Sequence, residues 1–360
     1  MYSFLIIVVV VLVKNVYTQG AIGKILIPFT GDPCTVKASN SPGRCKLLTQ
    51  CGEIRDEIVF NQKLPQICGF QETQPIVCCP ITRRPGYISE KKCREYASYT
   101  KENRLCGHNI AKRVINGRPA GRVEFPHMAL LAISGAGSLR WLCGGSLISE
   151  RYVLTAGRCL AFGDIDEPNL VLFGITSFND PNHMQKLRIG NNLIHPGFNR
   201  THHNHDIGLI LLHEPVEINS YVRPACLNTH FDIPATKVMA TGWGSREYAV
   251  GVSEELFSAT LDVAEYKICN KSDANTRRRK RGLNDIHICT GQGNGQKDTC
   301  QGDSGGALQI YHNKDPTRCM YDIVGVTSFR KGCSRAPSVH TRVSEYIKWI
   351  EDIVWPENSE

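Results

Sequence analysis

The chain has no apolar run near the twenty residues that a helix needs to cross a bilayer. Its longest, Phe4 to Val13, is ten residues, so no membrane partner is expected. Sixteen cysteines include no Cys-x-x-Cys pair, which argues against a zinc site in spite of the histidines near Asp206. No metal or other cofactor is expected. Internal repeats and low-complexity tracts are also lacking, which excludes a solenoid. Excess positive charge is small: +8 over 360 residues, much of it in Arg277-Arg278-Arg279-Lys280-Arg281. That is a local run, not a basic domain, and nucleic acid is not an expected partner. A polyanion of heparin type is a plausible ligand for the run, against the plainer reading of a solvated loop or a processing site.

What is present divides the chain. Residues 1–19, with Phe4–Val13 followed by Val16-Tyr17-Thr18-Gln19, have the pattern of a secretory signal peptide without the usual basic start. A secreted, extracellular protein is expected, and its even cysteine count then implies disulfides. Residues 34–79 hold six cysteines, Cys34, Cys45, Cys51, Cys68, Cys78 and Cys79. So short a segment cannot bury enough apolar surface alone, and cross-links must hold it; spacing leaves all fifteen connectivities open. Residues 80–113 are rich in Arg, Lys, Glu and Pro and are expected to form an exposed linker. Over 114–355, short apolar runs such as Met128 to Ile133 and Gly208 to Leu212 are broken by turn residues, an all-β pattern. At its end Tyr346, Ile347, Ile350, Ile353 and Val354 stand at helical spacing after Ser344, a candidate N-cap.

The Cys-Cys-Pro ending at Cys78-Cys79-Pro80 resembles the clip domain of arthropod extracellular protease zymogens. The resemblance implies pairs Cys34–Cys78, Cys45–Cys68 and Cys51–Cys79. Downstream, Lys112-Arg113-Val114-Ile115-Asn116-Gly117, Cys143-Gly144-Gly145-Ser146-Leu147, Thr155-Ala156-Gly157-Arg158-Cys159, Asp206-Ile207-Gly208-Leu209, Gly242-Trp243-Gly244 and Cys300-Gln301-Gly302-Asp303-Ser304-Gly305-Gly306 follow in order. Together they resemble the chymotrypsin and trypsin family. The resemblance implies two six-stranded antiparallel barrels with a C-terminal helix, and activation by a trypsin-like protease that cuts after Arg113, the new Val114 amine pairing with Asp303. It also implies an oxyanion hole from Gly302 and Ser304, and bonds Cys143–Cys159, Cys269–Cys289, Cys300–Cys333 and Cys106–Cys226. Cys93 and Cys319 are left over and are expected to pair, with a disulfide-linked homodimer as the rival.

The chain departs from the family at its centre. Arg158 stands where the catalytic His belongs, before Asp206 and Ser304. A guanidinium has donors only and cannot take a proton from a serine hydroxyl. Opposite Asp206 it is expected to form a buried ion pair, while His202, His203 and His205 read as loop residues rather than substitute bases. Asp298 occupies the position that binds substrate Arg or Lys. Arg330 and Ser338 replace pocket glycines, and His340 replaces a tyrosine. A guanidinium at 330 is expected to plug the pocket against Asp298. A lone variant at Arg158 does not explain the other three changes. The expected protein is therefore a non-catalytic clip-domain homologue, acting as a cleavable cofactor or regulator upon a protease or zymogen of a haemolymph cascade. The alternative is an active or weak trypsin-like endopeptidase of haemolymph or venom. Sequons at Asn199 and Asn270 are expected glycan sites.

Overall fold

The computed structural model describes residues 30–81, 83–102, 118–135, 138–161, 167–244, 253–272, 283–291, 304–315, 319–329 and 337–356. The chain forms two compact units, divided after Tyr87. Residues 1–19, the expected signal peptide, lie outside the described residues.

In the N-terminal unit, β1 (Pro33–Val36), β2 (Ser41–Leu47), β3 (Ile67–Gln71) and β4 (Gln74–Pro80) form one antiparallel sheet in the order β1-β2-β4-β3, and α1 (Gly52–Asn61) connects β2 to β3. Its core is slight: Cys51, Ile54, Val77 and Cys79, with Leu48, Ile58 and Ile67 against them. Disulfides Cys34–Cys78, Cys45–Cys68 and Cys51–Cys79 tie the sheet to itself and to the start of α1. Gly43 is needed where two of these strands meet, because a Cβ there would lie 2.9 Å from the Cys78 sulfur and 3.0 Å from that of Cys34.

The second unit opens on a helix, where the sequence predicted an exposed linker. In α2 (Tyr87–Glu102), the Ser89 N–H donates to Glu351 Oε1 at 2.7 Å and Glu90 Oε1 accepts from Thr229 Oγ at 3.0 Å. Cys93 and Tyr96 bury themselves against Cys226 and Met320. The helix has few apolar residues, and its burial rests on one tyrosine, a disulfide and polar anchors. After β5 (Arg118–Pro119), strands β6 (Met128–Gly135), β7 (Ser138–Leu147), β8 (Tyr152–Thr155), β9 (Leu170–Phe173), β10 (Gln185–Ile194) and β11 (Gly208–Leu212) close a barrel in the order β10-β11-β8-β7-β6-β9. Next come β12 (Cys226–Leu227), β13 (Lys237–Gly242), β14 (Phe257–Ala264), α3 (Tyr266–Ser272), β15 (His287–Thr290), β16 (Ala307–Tyr311), β17 (Tyr321–Phe329) and β18 (Ser338–Arg342). The path β17-β16-β13-β14-β15-β18 returns to β17 through the β17–β18 pairing, giving a second closed antiparallel barrel of six strands. Closure removes the exposed edges that a flat sheet would leave. The chain ends in α4 (Ile347–Val354), which buries Ile347, Ile350 and Val354. Ser344 does not cap it. A 3-10 turn over Val343–Tyr346 leads in, and the N-cap is Tyr346, which makes no side-chain capping bond.

His127, just before β6, is 1% exposed, and its Nε2–H donates to Gln309 Oε1 at 2.5 Å. Burial pushes its pKa down from 6.5 to about 3, with the Gln309 bond opposing and the Arg223 cation reinforcing the fall. The unfolded chain thus binds a proton at His127 below about pH 6.5 that the folded chain refuses until about pH 3. Stability from this group is whole above that window and falls as pH drops through it, by at most about 1.4 kcal/mol per pH unit. His127→Gln is expected to flatten the decline in urea midpoint between pH 6 and pH 4; an unchanged slope would count against a neutral buried imidazole.

Candidate active site

Arg158 lies in a short 3-10 turn, Gly157–Cys159, directly after β8. The Cys143–Cys159 disulfide holds the turn to β7. Its backbone is fixed from across the barrel, because the Arg158 N–H donates to Asp206 Oδ1 at 2.8 Å. Asp206, just before β11, is fully buried. Its other oxygen accepts from the Ser328 hydroxyl, and its carbonyl accepts from Thr341 Oγ at 2.8 Å. A buried carboxylate demands such donors. Sequence reasoning missed both hydroxyls, although Ser328 is the one member of Ser328-Phe329-Arg330 that matches the family.

The guanidinium extends past Asp206. Arg158 Nε stands 3.7 Å from Asp206 Oδ2, close enough for an ion pair but too far for a hydrogen bond, and Nη2 donates to Ser304 Oγ. The Arg158 side chain stays a quarter exposed. Burial draws its pKa below the ordinary arginine value and the Asp206 charge opposes this. Arginine starts so high that it remains a cation. Ser304 is held by a turn in which Gly144 N–H donates to the Ser304 carbonyl and Gly305 N–H to that of Thr327, each at 2.8 Å. Gly305 has φ +78°, and a Cβ there would lie 2.3 Å from Thr155 Oγ and 2.4 Å from the Gly144 carbonyl oxygen. The three positions therefore meet across the two barrels, with a permanent donor beside the serine where an acceptor is needed for acyl transfer.

The nearby histidines face elsewhere. His205 Nδ1 meets the Tyr346 hydroxyl at 3.0 Å, and its ring stacks on His195 with centroids 5.2 Å apart. His203 and His205 both have positive φ, in the loop before Asp206 that also holds His202. Ser338 and His340 are buried in β18, where His340 Nε2 bonds Thr290 Oγ at 2.8 Å. Asp298, Gly302, Asp303, Arg330, Arg113, Val114 and the run Arg277–Arg281 lie outside the described residues. Asn199 is exposed, and its Oδ1 accepts from the N–H groups of Thr201 and His202 at 3.0 and 2.9 Å. The Asn270 side chain is outside the described residues.

Two expected disulfides are replaced. Cys93 on α2 bonds Cys226 on β12, with Cα atoms 4.9 Å apart, so neither Cys93–Cys319 nor Cys106–Cys226 forms. The docking of α2 explains this: it carries Cys93 to Cys226 and Met320, whereas a linker without structure left that choice open. Cys319 is in a disulfide whose partner lies outside the described residues, as do Cys106, Cys300 and Cys333. Cys269–Cys289 forms. Cys93, Cys226, His312 and Asp322 bring ligand atoms within 4.8 Å of one another, but the two sulfurs are already joined.

The trypsin family profile matches residues 114–350. The chain is 33% identical over 347 residues to serine protease snk of Drosophila melanogaster, covering 90% of this chain and 79% of that one. It is 35% identical over 263 residues to the clotting factor G beta subunit of Tachypleus tridentatus, covering 70% and 84% of the two chains. To CLIP domain-containing serine protease B4 of Anopheles gambiae it is 29% identical over 357 residues, covering 90% and 92%. With the disulfide-knotted unit ahead of two six-stranded barrels, the chain belongs to the trypsin family, among the clip-domain serine proteases of arthropods.

Proposed function

We propose that this protein is a secreted, non-catalytic clip-domain serine protease homologue that serves as a cleavable regulator in an extracellular protease cascade. The observation that carries the reading is the hydrogen bond from Arg158 Nη2 to Ser304 Oγ. A serine whose oxygen already accepts from a cation has no base to receive its proton, and Asp206 is engaged with Ser328 and the Arg158 backbone. The name of one relative, a clotting factor subunit, supports a cascade setting. In this reading Arg113 remains the site of cleavage by an upstream trypsin-like protease, and the surface left afterwards engages a protease or zymogen.

The test is to cleave the purified protein after Arg113 and then measure turnover of an arginyl ester and labelling of Ser304 by a phosphonylating reagent. Neither is expected above the uncatalysed background, and clear turnover would overturn the reading in favour of a trypsin-like endopeptidase. The same digest should give two chains that run together on a gel and part only with reductant. Cys93 lies before the junction and is bonded to Cys226 after it. Chains that part without reductant would contradict that bond.

A further inference from the structure

The Arg158 guanidinium is underused. It carries five N–H donors, yet among the described residues it makes one side-chain hydrogen bond, to Ser304 Oγ. Asp206 balances its charge through Nε at 3.7 Å without taking a donor. That carboxylate's oxygens instead accept the Arg158 N–H and the Ser328 hydroxyl. Meanwhile the side chain is a quarter open. A partly buried cation with spare donors beside a serine hydroxyl is a seat for an oxyanion; a planar fork favours a carboxylate, which it can hold through two parallel bonds.

From this geometry we infer that the cleft binds the free C-terminal carboxylate of a peptide released by proteolysis. The inference rests on the non-catalytic reading and deepens it. At a serine protease site the carbonyl carbon of the bound residue lies against the serine oxygen. Once its peptide bond has been cut, that carbon is a carboxylate. With a base at position 158, a neutral imidazole offers such a product no charge above about pH 6.5. Arg158 offers a full charge at every physiological pH, so the residue that abolishes attack on an uncut chain stabilises the cut one. The ligand class is then a peptide whose new C-terminus has been made by another protease, and the same lesion turns a cutting site into one that registers cutting.

The test uses the full chain and three dye-labelled tetrapeptides: one ending in Ala, which asks nothing of the pocket at Asp298, with a free carboxylate, the same peptide as its C-terminal amide, and an amidated peptide with an internal Glu. Fluorescence anisotropy is expected to show the free acid binding at least about tenfold more tightly than the amide, a difference of about 1.4 kcal/mol, with no change between pH 6 and pH 8. Arg158→Gln should bring the ratio to about one while binding of the amide persists, which reports that the cleft is still folded. Equal binding of acid and amide overturns the inference. Equal binding of the internal Glu peptide overturns the C-terminal assignment. Hydrolysis of the amide instead overturns the non-catalytic reading, so the two failures are separable.

Discussion

After cleavage at Arg113, the triple variant Arg158→His, Arg330→Gly, Ser338→Gly is expected to hydrolyse arginyl substrates more than about tenfold faster than Arg158→His alone, a gain of at least about 1.4 kcal/mol. Both should exceed the unaltered protein by far more. Loss of the base from a serine triad costs on the order of a millionfold in turnover, about 8 kcal/mol of barrier. The receiving geometry for an imidazole is in place, since the residue 158 N–H is already bonded to Asp206 Oδ1 and Ser328 holds the other oxygen. What a single reversion would leave behind is the pocket that Arg330 and Ser338 are proposed to alter. Ser338 is 1% exposed and fixed in register opposite Thr290, so its hydroxymethyl group occupies buried space that the expected glycine would leave open, and substrate positioning is expected to suffer with it. Should Arg158→His alone give a good trypsin, the pocket argument is wrong.

Asp206→Ala is expected to destabilise the protein by about 3–5 kcal/mol, as breaking one side of a buried charge pair does. Two donors lose their acceptor at once, the Arg158 N–H and the Ser328 hydroxyl, and the Arg158 guanidinium loses the opposite charge 3.7 Å away. Partial exposure of Arg158 screens the charge term, so the hydrogen bonds carry much of the loss. The same substitution made in an Arg158→Ala background should cost less, because no cation is stranded, and urea denaturation of the four proteins in this cycle measures the difference. A loss below about 1 kcal/mol for the single variant would show that Asp206 no longer anchors the site.

Much of this was legible because the family's motifs are local. Gly157 and Cys159 flank position 158 so closely that an arginine there cannot be mistaken for an insertion, and short apolar runs such as Met128 to Ile133, broken by turn residues, carry the barrel pattern in full view. The three clip disulfides, implied by the resemblance, are those of the structure. Helix α2 was not legible, since Glu90-Lys91-Lys92 and Arg94-Glu95 crowd the few buried positions and hide their period. Once that helix was missed, the partner of Cys93 was lost with it: any of the three pairings of four cysteines balances the count, and only the fold brings Cys226 to 4.9 Å. The Ser328 bond escaped for a related reason. A hydroxyl 122 residues from the carboxylate it serves has no signature in spacing.

The docking of α2 bears on how such chains can be recombined. The compact units divide after Tyr87, well before the expected cleavage site at Arg113, so the segment that cleavage would set apart and the N-terminal compact unit are not the same piece. A hybrid that exchanges N-terminal modules at residue 113 would graft a foreign helix onto the second barrel and ask it to match Cys226, Met320 and Glu351. A hybrid joined at residue 86 or 87 would leave those contacts native. Modules of this lineage should therefore be interchangeable at the start of the helix and not at the scissile bond, and the stretch between the two is inherited with the barrels.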